Sequence, residues 1–189
     1  SRIDEANTYL VNIYMSTKNY KDTLTSIENI KKKDNRLLEA YQRIAFNRAV
    51  ELFNESKIDP SQILFQKAIE IAINEPLMAA SYYWIGEGFY RLNQYDEALQ
   101  SFKKFQVSSG AFNLPEYNIS NYNIGYIYFQ KKDYNEALNY FKKFNLNAKD
   151  ENIKLRNDAL LRTGDCYFIT KDYANAILSY DKAIELNQP

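Results

Sequence analysis

Groups able to do covalent or acid–base chemistry are few in this chain. It has no histidine, one cysteine (Cys166), and 24 aspartates and glutamates against 24 lysines and arginines. Without histidine there is no Ser-His or Cys-His pair, no imidazole general base and no imidazole metal ligand. One cysteine makes neither an intrachain disulfide nor a structural zinc site, and it assigns no redox compartment. Cys166 is expected to be a buried thiol that packs as a small hydrophobe. Neither phosphate-binding glycine motif occurs. Gly86-Glu87-Gly88 starts like one, but it lies in a helical pattern where close packing explains it. The acid pairs Asp96-Glu97 and Asp150-Glu151 fall at helix starts, where negative charge suits the helix dipole. The chain therefore reads as a non-enzyme, with no catalytic residue, no cofactor and no metal.

Aromatic side chains are abundant: 17 tyrosines and 11 phenylalanines. Tyrosine offers a large apolar face and a hydroxyl at low entropic cost, which suits peptide recognition. The zero net charge gives no electrostatic reason to expect nucleic acid or an anionic membrane surface. Lys31-Lys32-Lys33 reads as a solvated helix C-terminus. No apolar run reaches the roughly 18 residues needed to cross a bilayer, so no direct membrane insertion is expected.

The elements that must position these aromatics emerge from self-comparison. Three segments align: residues 82–105, 121–144 and 160–183. In each, a glycine (Gly86, Gly125, Gly164) is followed by an aromatic at +3 (Phe89, Tyr128, Tyr167), tyrosine at +9 (Tyr95, Tyr134, Tyr173), alanine at +12 (Ala98, Ala137, Ala176) and an aromatic at +16 (Phe102, Phe141, Tyr180). Weaker copies sit around Val11 and Ala49, so the anchors 11, 49, 86, 125 and 164 are spaced by 38, 37, 39 and 39 residues. Apolar residues recur at three and four, the helical period, and glycine and proline are scarce (5 and 4). Each copy therefore reads as two amphipathic helices, A and B, joined by a polar turn: Asn93-Gln94, Lys132-Asp133 or Lys171-Asp172. In the last copy the pattern predicts helix A over about 158–170 and helix B over about 173–186. Pro60 suits a first helical turn, with Asp59 as its cap. Pairing Gly86 with Ala98, Gly125 with Ala137 and Gly164 with Ala176 would let two backbones approach closely. One hairpin cannot bury such faces alone, whereas stacked hairpins can.

The pair Ile85-Gly86, with Phe89, Ala98 and Phe102, and its counterpart Ile124-Gly125, with Tyr128, Ala137 and Phe141, resemble the tetratricopeptide repeat motif. That resemblance implies an all-α, right-handed superhelical solenoid of about five helix-turn-helix repeats, at approximately 4–33, 42–74, 79–108, 118–147 and 157–189, forming one domain over 1–189. Copies three and five are similar to repeats of bacterial cell-envelope members, which favours the periplasm or envelope over the cytoplasm. The spacing departs from the family's 34, and the proline that usually ends a repeat is missing at Gly110 and Lys149. The extra residues are expected to lengthen helix B by about a turn or to extend the segments 108–116 and 145–151. The first residue is not methionine and the last copy has no capping helix, so the chain is expected to be a piece of a larger protein. Ala176, Tyr180, Ala183 and Ile184 would then form an exposed apolar face open to self-association.

In this family the A helices line the concave surface, so the resemblance implies a protein- or peptide-binding scaffold. The inward positions carried over are Thr8, Phe46, Tyr83, Tyr122 and Leu161, then Asn12, Val50, Glu87, Tyr126 and Asp165, then Met15, Phe53, Tyr90, Phe129 and Phe168. The peptide-binding candidates among them are Phe46, Phe53, Tyr83, Glu87, Tyr90, Tyr122, Tyr126, Phe129, Asp165 and Phe168. The family's carboxylate clamp is not matched. Its five slots read Thr8, Asn12, Asn47, Ala80 and Trp84 in one register and Tyr83, Glu87, Asn123, Asp158 and Arg162 in another, without either lysine. Aromatic capture of an extended or helical peptide is the expectation, with a structural, self-associating envelope module as the alternative.

Overall fold

The computed structural model describes Tyr9 and residues 19–30, 32–148 and 152–186. Among these residues the regular structure is helical throughout: α1 (Tyr20–Glu28), α2 (Asn35–Asn54), α3 (Ile58–Ile71), α4 (Glu75–Arg91), α5 (Tyr95–Val107), a 3-10 turn (Ala111–Asn113), α6 (Glu116–Gln130), α7 (Tyr134–Leu146), α8 (Ile153–Ile169) and α9 (Tyr173–Leu186). The helices fall into two compact units, one ending at Leu114 and the other starting at Pro115. In the first, α2 pairs with α3 and α4 with α5, and α3 also packs on α4. In the second, α6 pairs with α7 and α8 with α9, and α7 packs on α8. These are the A–B pairs of copies two to five, and α1 is helix B of copy one. Helix A of copy one, with Thr8, Asn12 and Met15, lies outside the described residues, as do Lys31 and Asp150-Glu151.

Each pair is closed by one kind of turn. Ser56, Asn93, Lys132 and Lys171 take positive φ of 61°, 59°, 61° and 65°. The following N–H reaches back across the last helical turn: Gln94 to the Phe89 carbonyl, Asp133 to Tyr128 and Asp172 to Tyr167, each at 2.9 Å. This left-handed cap satisfies carbonyls that the helix end leaves open. Asp133 then caps α7 through the Glu136 N–H. Asp59 does not cap α3: it sits inside the first turn after Lys57, where its charge still favours the dipole. Of the lysine run, Lys33 donates to the carbonyls of Glu28 and Ile30 just at and beyond the end of α1.

The extra residues of the long repeats lie partly where expected, in segment 108–116, and partly in helix A rather than helix B. Helix B is short, 13 residues in α5 and α7. The length is in helix A, 20 residues in α2 and 17 in α4 and α8, and in the stretch after α5 that holds the 3-10 turn. One amide device exploits the long A helices. Gln42 donates to the Ala68 carbonyl at 2.9 Å, Asn118 to Phe144 at 3.0 Å and Asn157 to Ala183 at 2.6 Å. All three stand seven residues before the copy's anchor and reach a carbonyl near the end of their own helix B.

The glycine partners also need correction. A Cβ added at Gly86 would meet the Phe102 ring at 2.9 Å, and one at Gly125 the Phe141 ring at 2.8 Å. At Gly164 the Tyr180 ring stands closest. The small residue therefore opposes the aromatic four positions beyond the alanine, and the alanines Ala98, Ala137 and Ala176 are buried nearby. Gly88 serves another contact, against Gln62 and Ile58 of α3.

Two predictions follow from this packing. Phe141 is fully buried and has no room to retreat. Gly125→Ala should therefore destabilise by about 1–3 kcal/mol, although alanine gains roughly 1 kcal/mol over glycine in a helix. Denaturant unfolding measures the change, and Phe141→Leu on that background should recover part of it. The second concerns α1. Glu28 accepts from Lys67 at 2.6 Å and from Tyr41 at 2.7 Å, tying α1 to α2 and α3. The Lys67 hydrogen bond, then that of Tyr41, holds the Glu28 carboxyl below its ordinary 4.5, and Glu28 in turn holds Lys67 above 10.5. The tether is thus complete between those values and fades as pH falls through the depressed Glu28 value. Amide protection factors in α1 should drop in acid, and Glu28→Gln should give the same loss at neutral pH.

Candidate functional site

Positions on one helix face recur every three to four residues, and the A helices present such a face in each copy. The structure treats its aromatics unequally. In α2, Phe53 is fully buried, edge-on to Trp84 at 5.0 Å and covered by the Arg91 guanidinium 4.0 Å above its ring. Tyr83 in α4 is 7% exposed and packs against Phe102 and Phe105 at 5.5 and 5.4 Å. Burial of this kind leaves Phe53 no face for a ligand and Tyr83 almost none, so both are packing residues. Phe46 is half-buried on the Phe65 ring, at 5.6 Å, and Tyr90 half-buried beside Tyr95, at 5.8 Å. Val50 and Glu87 are half-buried as well.

In the second unit the candidates converge. Tyr122 and Tyr126, one turn apart on α6, sit 4.9 Å between ring centroids, and Phe129 continues the row 6.5 Å from Tyr126. Both phenols donate to Asp158 Oδ2 of α8, Tyr122 at 3.0 Å and Tyr126 in a shorter contact. Arg162, one turn along α8, pairs with Asp158 at 3.8 Å and with Asp165 at 2.6 Å. Its guanidinium lies 5.8 Å from the centre of the Phe129 ring. Tyr180 of α9 donates to the other oxygen of Asp165 at 2.9 Å. Phe168, a turn beyond Asp165, is 58% exposed, with Tyr173 5.4 Å away. Leu161 is half-buried.

Burial first, and then the hydrogen bond to Asp158, push the Tyr126 phenol far above its ordinary value. Burial and Asp165 raise Tyr180 likewise. Both hydroxyls therefore remain donors at neutral pH, and the two aspartates accept from phenols on one side and from Arg162 on the other. The arrangement is a polar lattice with aromatic flanks. Cys166, one residue from Asp165, is fully buried, and burial pushes its thiol up to about 12. A thiol so held offers no nucleophile at neutral pH. Among the described residues no group of three or more Asp, Glu or Cys gathers as metal ligands, and no helix is long and apolar enough to cross a membrane.

Asp158, Arg162 and Tyr180 are the members of this cluster that reasoning from helix-face positions passed over. Asp158 and Arg162 fall in the family's clamp slots, where Arg162 matches the family's arginine but Asp158 replaces a lysine, and the register as a whole was set aside for lacking both lysines. The signal that could have found them is the four-residue step of Asp158 and Arg162 facing the four-residue step of Tyr122 and Tyr126.

Models of the tetratricopeptide repeat match residues 120–145 and 158–189, and a second model of the same repeat matches 80–108. No curated protein matches the chain. Among solved structures, BtubC from P. vanneervenii is similar at 16% identity and a TM-score of 0.64, over 98% of this chain and 80% of that one. YrrB, described as a TPR protein with an unusual peptide-binding site, is similar at 17% identity and a TM-score of 0.64, over 96% of this chain and 84% of that one. MamA is similar at 14% identity and a TM-score of 0.61, over 93% of both chains. Identities this low speak for the fold alone.

Removing Asp158 tests the lattice. Asp158→Ala leaves two phenols and a guanidinium short of an acceptor, and should cost about 1–3 kcal/mol in urea unfolding. The same loss should appear as a fall of the Tyr126 ionisation toward its ordinary value in an ultraviolet pH titration.

Proposed function

The chain is a tetratricopeptide repeat protein, and from that premise we propose that it is a protein-interaction scaffold whose A helices hold a peptide, centred on α6 and α8. One observation carries this reading. Tyr122, Tyr126, Phe129, Asp158, Arg162, Asp165 and Phe168 gather on facing A helices, with an exposed aromatic beside a fixed charge lattice. A peptide lying there would gain apolar contact from Phe168 and Phe129. Arg162 and the aspartates would meet its backbone or side-chain polar groups. The side chains are already ordered by one another, so little further entropy is lost on binding. The peptide-binding site named for YrrB agrees with this use of the fold. The likeness of copies three and five to repeats of bacterial envelope proteins extends the proposal to a scaffold of the cell envelope.

A second reading, self-association, has its own observation. α9 exposes Tyr173, Ile177, Leu178 and Ile184 at 54–60%. This is not the face expected from the sequence, because Ala176 and Ala183 are buried against α8 and only Ile184 of the expected set is exposed. Solvent-facing isoleucine and leucine at this density favour contact with a further copy.

Selection of binders from a random peptide library, followed by calorimetry, tests the leading reading. Phe168→Ala with Arg162→Ala should weaken the selected peptides at least about tenfold, or roughly 1.4 kcal/mol, with helicity retained. Ile63→Ser, an exposed residue on helix B, should not. Peptides that bind the double variant unchanged would remove the site from this face.

A further inference from the structure

The opposite face of α8 carries a different chemistry. Arg156 and Leu160, a turn apart, form the floor of a cleft of about 680 Å³ walled by α7 and α9. Lys142 and Asn145 stand on one wall, and Leu178 and Lys182 on the other. The lining holds three cations, Lys142, Arg156 and Lys182, against the single carboxylate of Glu185, in a chain whose charges otherwise balance. Lys142 lies 4.9 Å from the ring of Tyr167, which keeps its ammonium over the cleft.

Among the described residues, two buried polar atoms in this lining have no hydrogen-bond partner: Nε of Arg156, a donor, and Oδ1 of Asn145, an acceptor. A buried group left unpaired carries a desolvation cost, so an occupant that pairs it is favoured. The unused groups state what the occupant must bring. Arg156 presents a guanidinium edge suited to a carboxylate, Asn145 accepts an N–H, and Leu160 and Leu178 call for an apolar side chain between them.

We propose that this cleft is a second binding site, independent of the A-helix face, that takes an acidic peptide segment mixing carboxylates with leucine-like side chains. Arg156 holds a peptide carboxylate, Lys142 and Lys182 supply the surrounding positive potential, and Asn145 receives a backbone N–H. Net positive charge with apolar walls distinguishes this cleft from the mixed-charge A face, so the two sites select different segments.

The test is fluorescence anisotropy on the full chain, with a labelled, end-blocked dodecapeptide of glutamate and leucine as the probe. Its lysine-and-leucine counterpart and a single-stranded RNA dodecamer serve as comparisons. The acidic peptide should bind, and binding should weaken as salt rises. Arg156→Gln should reduce the affinity about tenfold or more, and the exposed Lys182→Glu severalfold without touching the floor. Phe168→Ala with Arg162→Ala should leave it unchanged, which separates this site from the proposed A-face site. Equal binding of the basic peptide, tighter binding of the RNA, or affinity unaffected by both Arg156→Gln and Lys182→Glu would each overturn the proposal. If Arg156→Gln loses helical circular dichroism, Lys182→Glu alone decides between these outcomes.

Discussion

A glycine Cα pressed against an aromatic ring sets the geometry of these hairpins. At Gly86, Gly125 and Gly164 the helix A backbone lies so close to the partner ring that even a methyl group would overlap it. The ring then has the helix backbone as one wall of its pocket. Phe102 and Phe141 are fully buried as a consequence, and so are Phe105 and Phe144 one turn further along helix B. Such contacts draw two helices together where bulkier side chains would splay them, and the closeness brings the ends of the pair within reach of one another. Asn118 and Asn157 exploit that reach by donating across the pair to the end of helix B. The left-handed turn is the third part of the same unit, because a pair this close needs an abrupt reversal. Lys132 and Lys171 accept positive φ there although a lysine gains nothing from it.

Copy spacing, pairing of helices and turn positions were legible in the sequence because each is a local consequence of residue type repeated five times. The glycine's partner was not. An alanine and an aromatic four residues apart share a helix face, and periodicity cannot say which of the two meets the glycine. The length of helix A was misjudged for a related reason. α8 starts at Ile153, before the predicted 158, and its added first turn carries polar residues such as Asn157, whose amide is bonded across the pair.

Burial on the A-helix face shows the same limit more sharply. Phe53, Tyr90, Phe129 and Phe168 occupy one slot, four residues past the anchor of their copies. Phe53 is wholly buried, and Phe168 is 58% exposed. The slot fixes direction only. Exposure depends on what the next A helix supplies. Trp84 and Arg91 close over Phe53, whereas Phe168 has Tyr173 of its own hairpin beside it. A repeat therefore buries one position in one copy and leaves it exposed in another, and the difference is made by a neighbour roughly forty residues away.

Within the second unit, α8 joins the two faces. Asp158, Arg162 and Asp165 project on the side that meets α6, and Arg156 and Leu160 on the side framed by α7 and α9. The first set is paired within itself through phenols and a guanidinium, although Nε of Arg162 has no hydrogen-bond partner among the described residues. The second includes Nε of Arg156, likewise unpaired among the described residues, and carries a net positive charge. The difference between the faces is one of net charge: Asp158 and Asp165 answer Arg162 on the first, whereas Lys142, Arg156 and Lys182 face the single carboxylate of Glu185 on the second. Both faces are carried by a single rigid helix whose glycine is pinned against Tyr180. Tyr180 in turn bonds Asp165, so the contact that sets the hairpin spacing also anchors one end of the charge lattice. A ligand at either face would therefore meet side chains held by the packing of the repeat, and the physical requirement of folding the hairpin has already met most of the cost of ordering them.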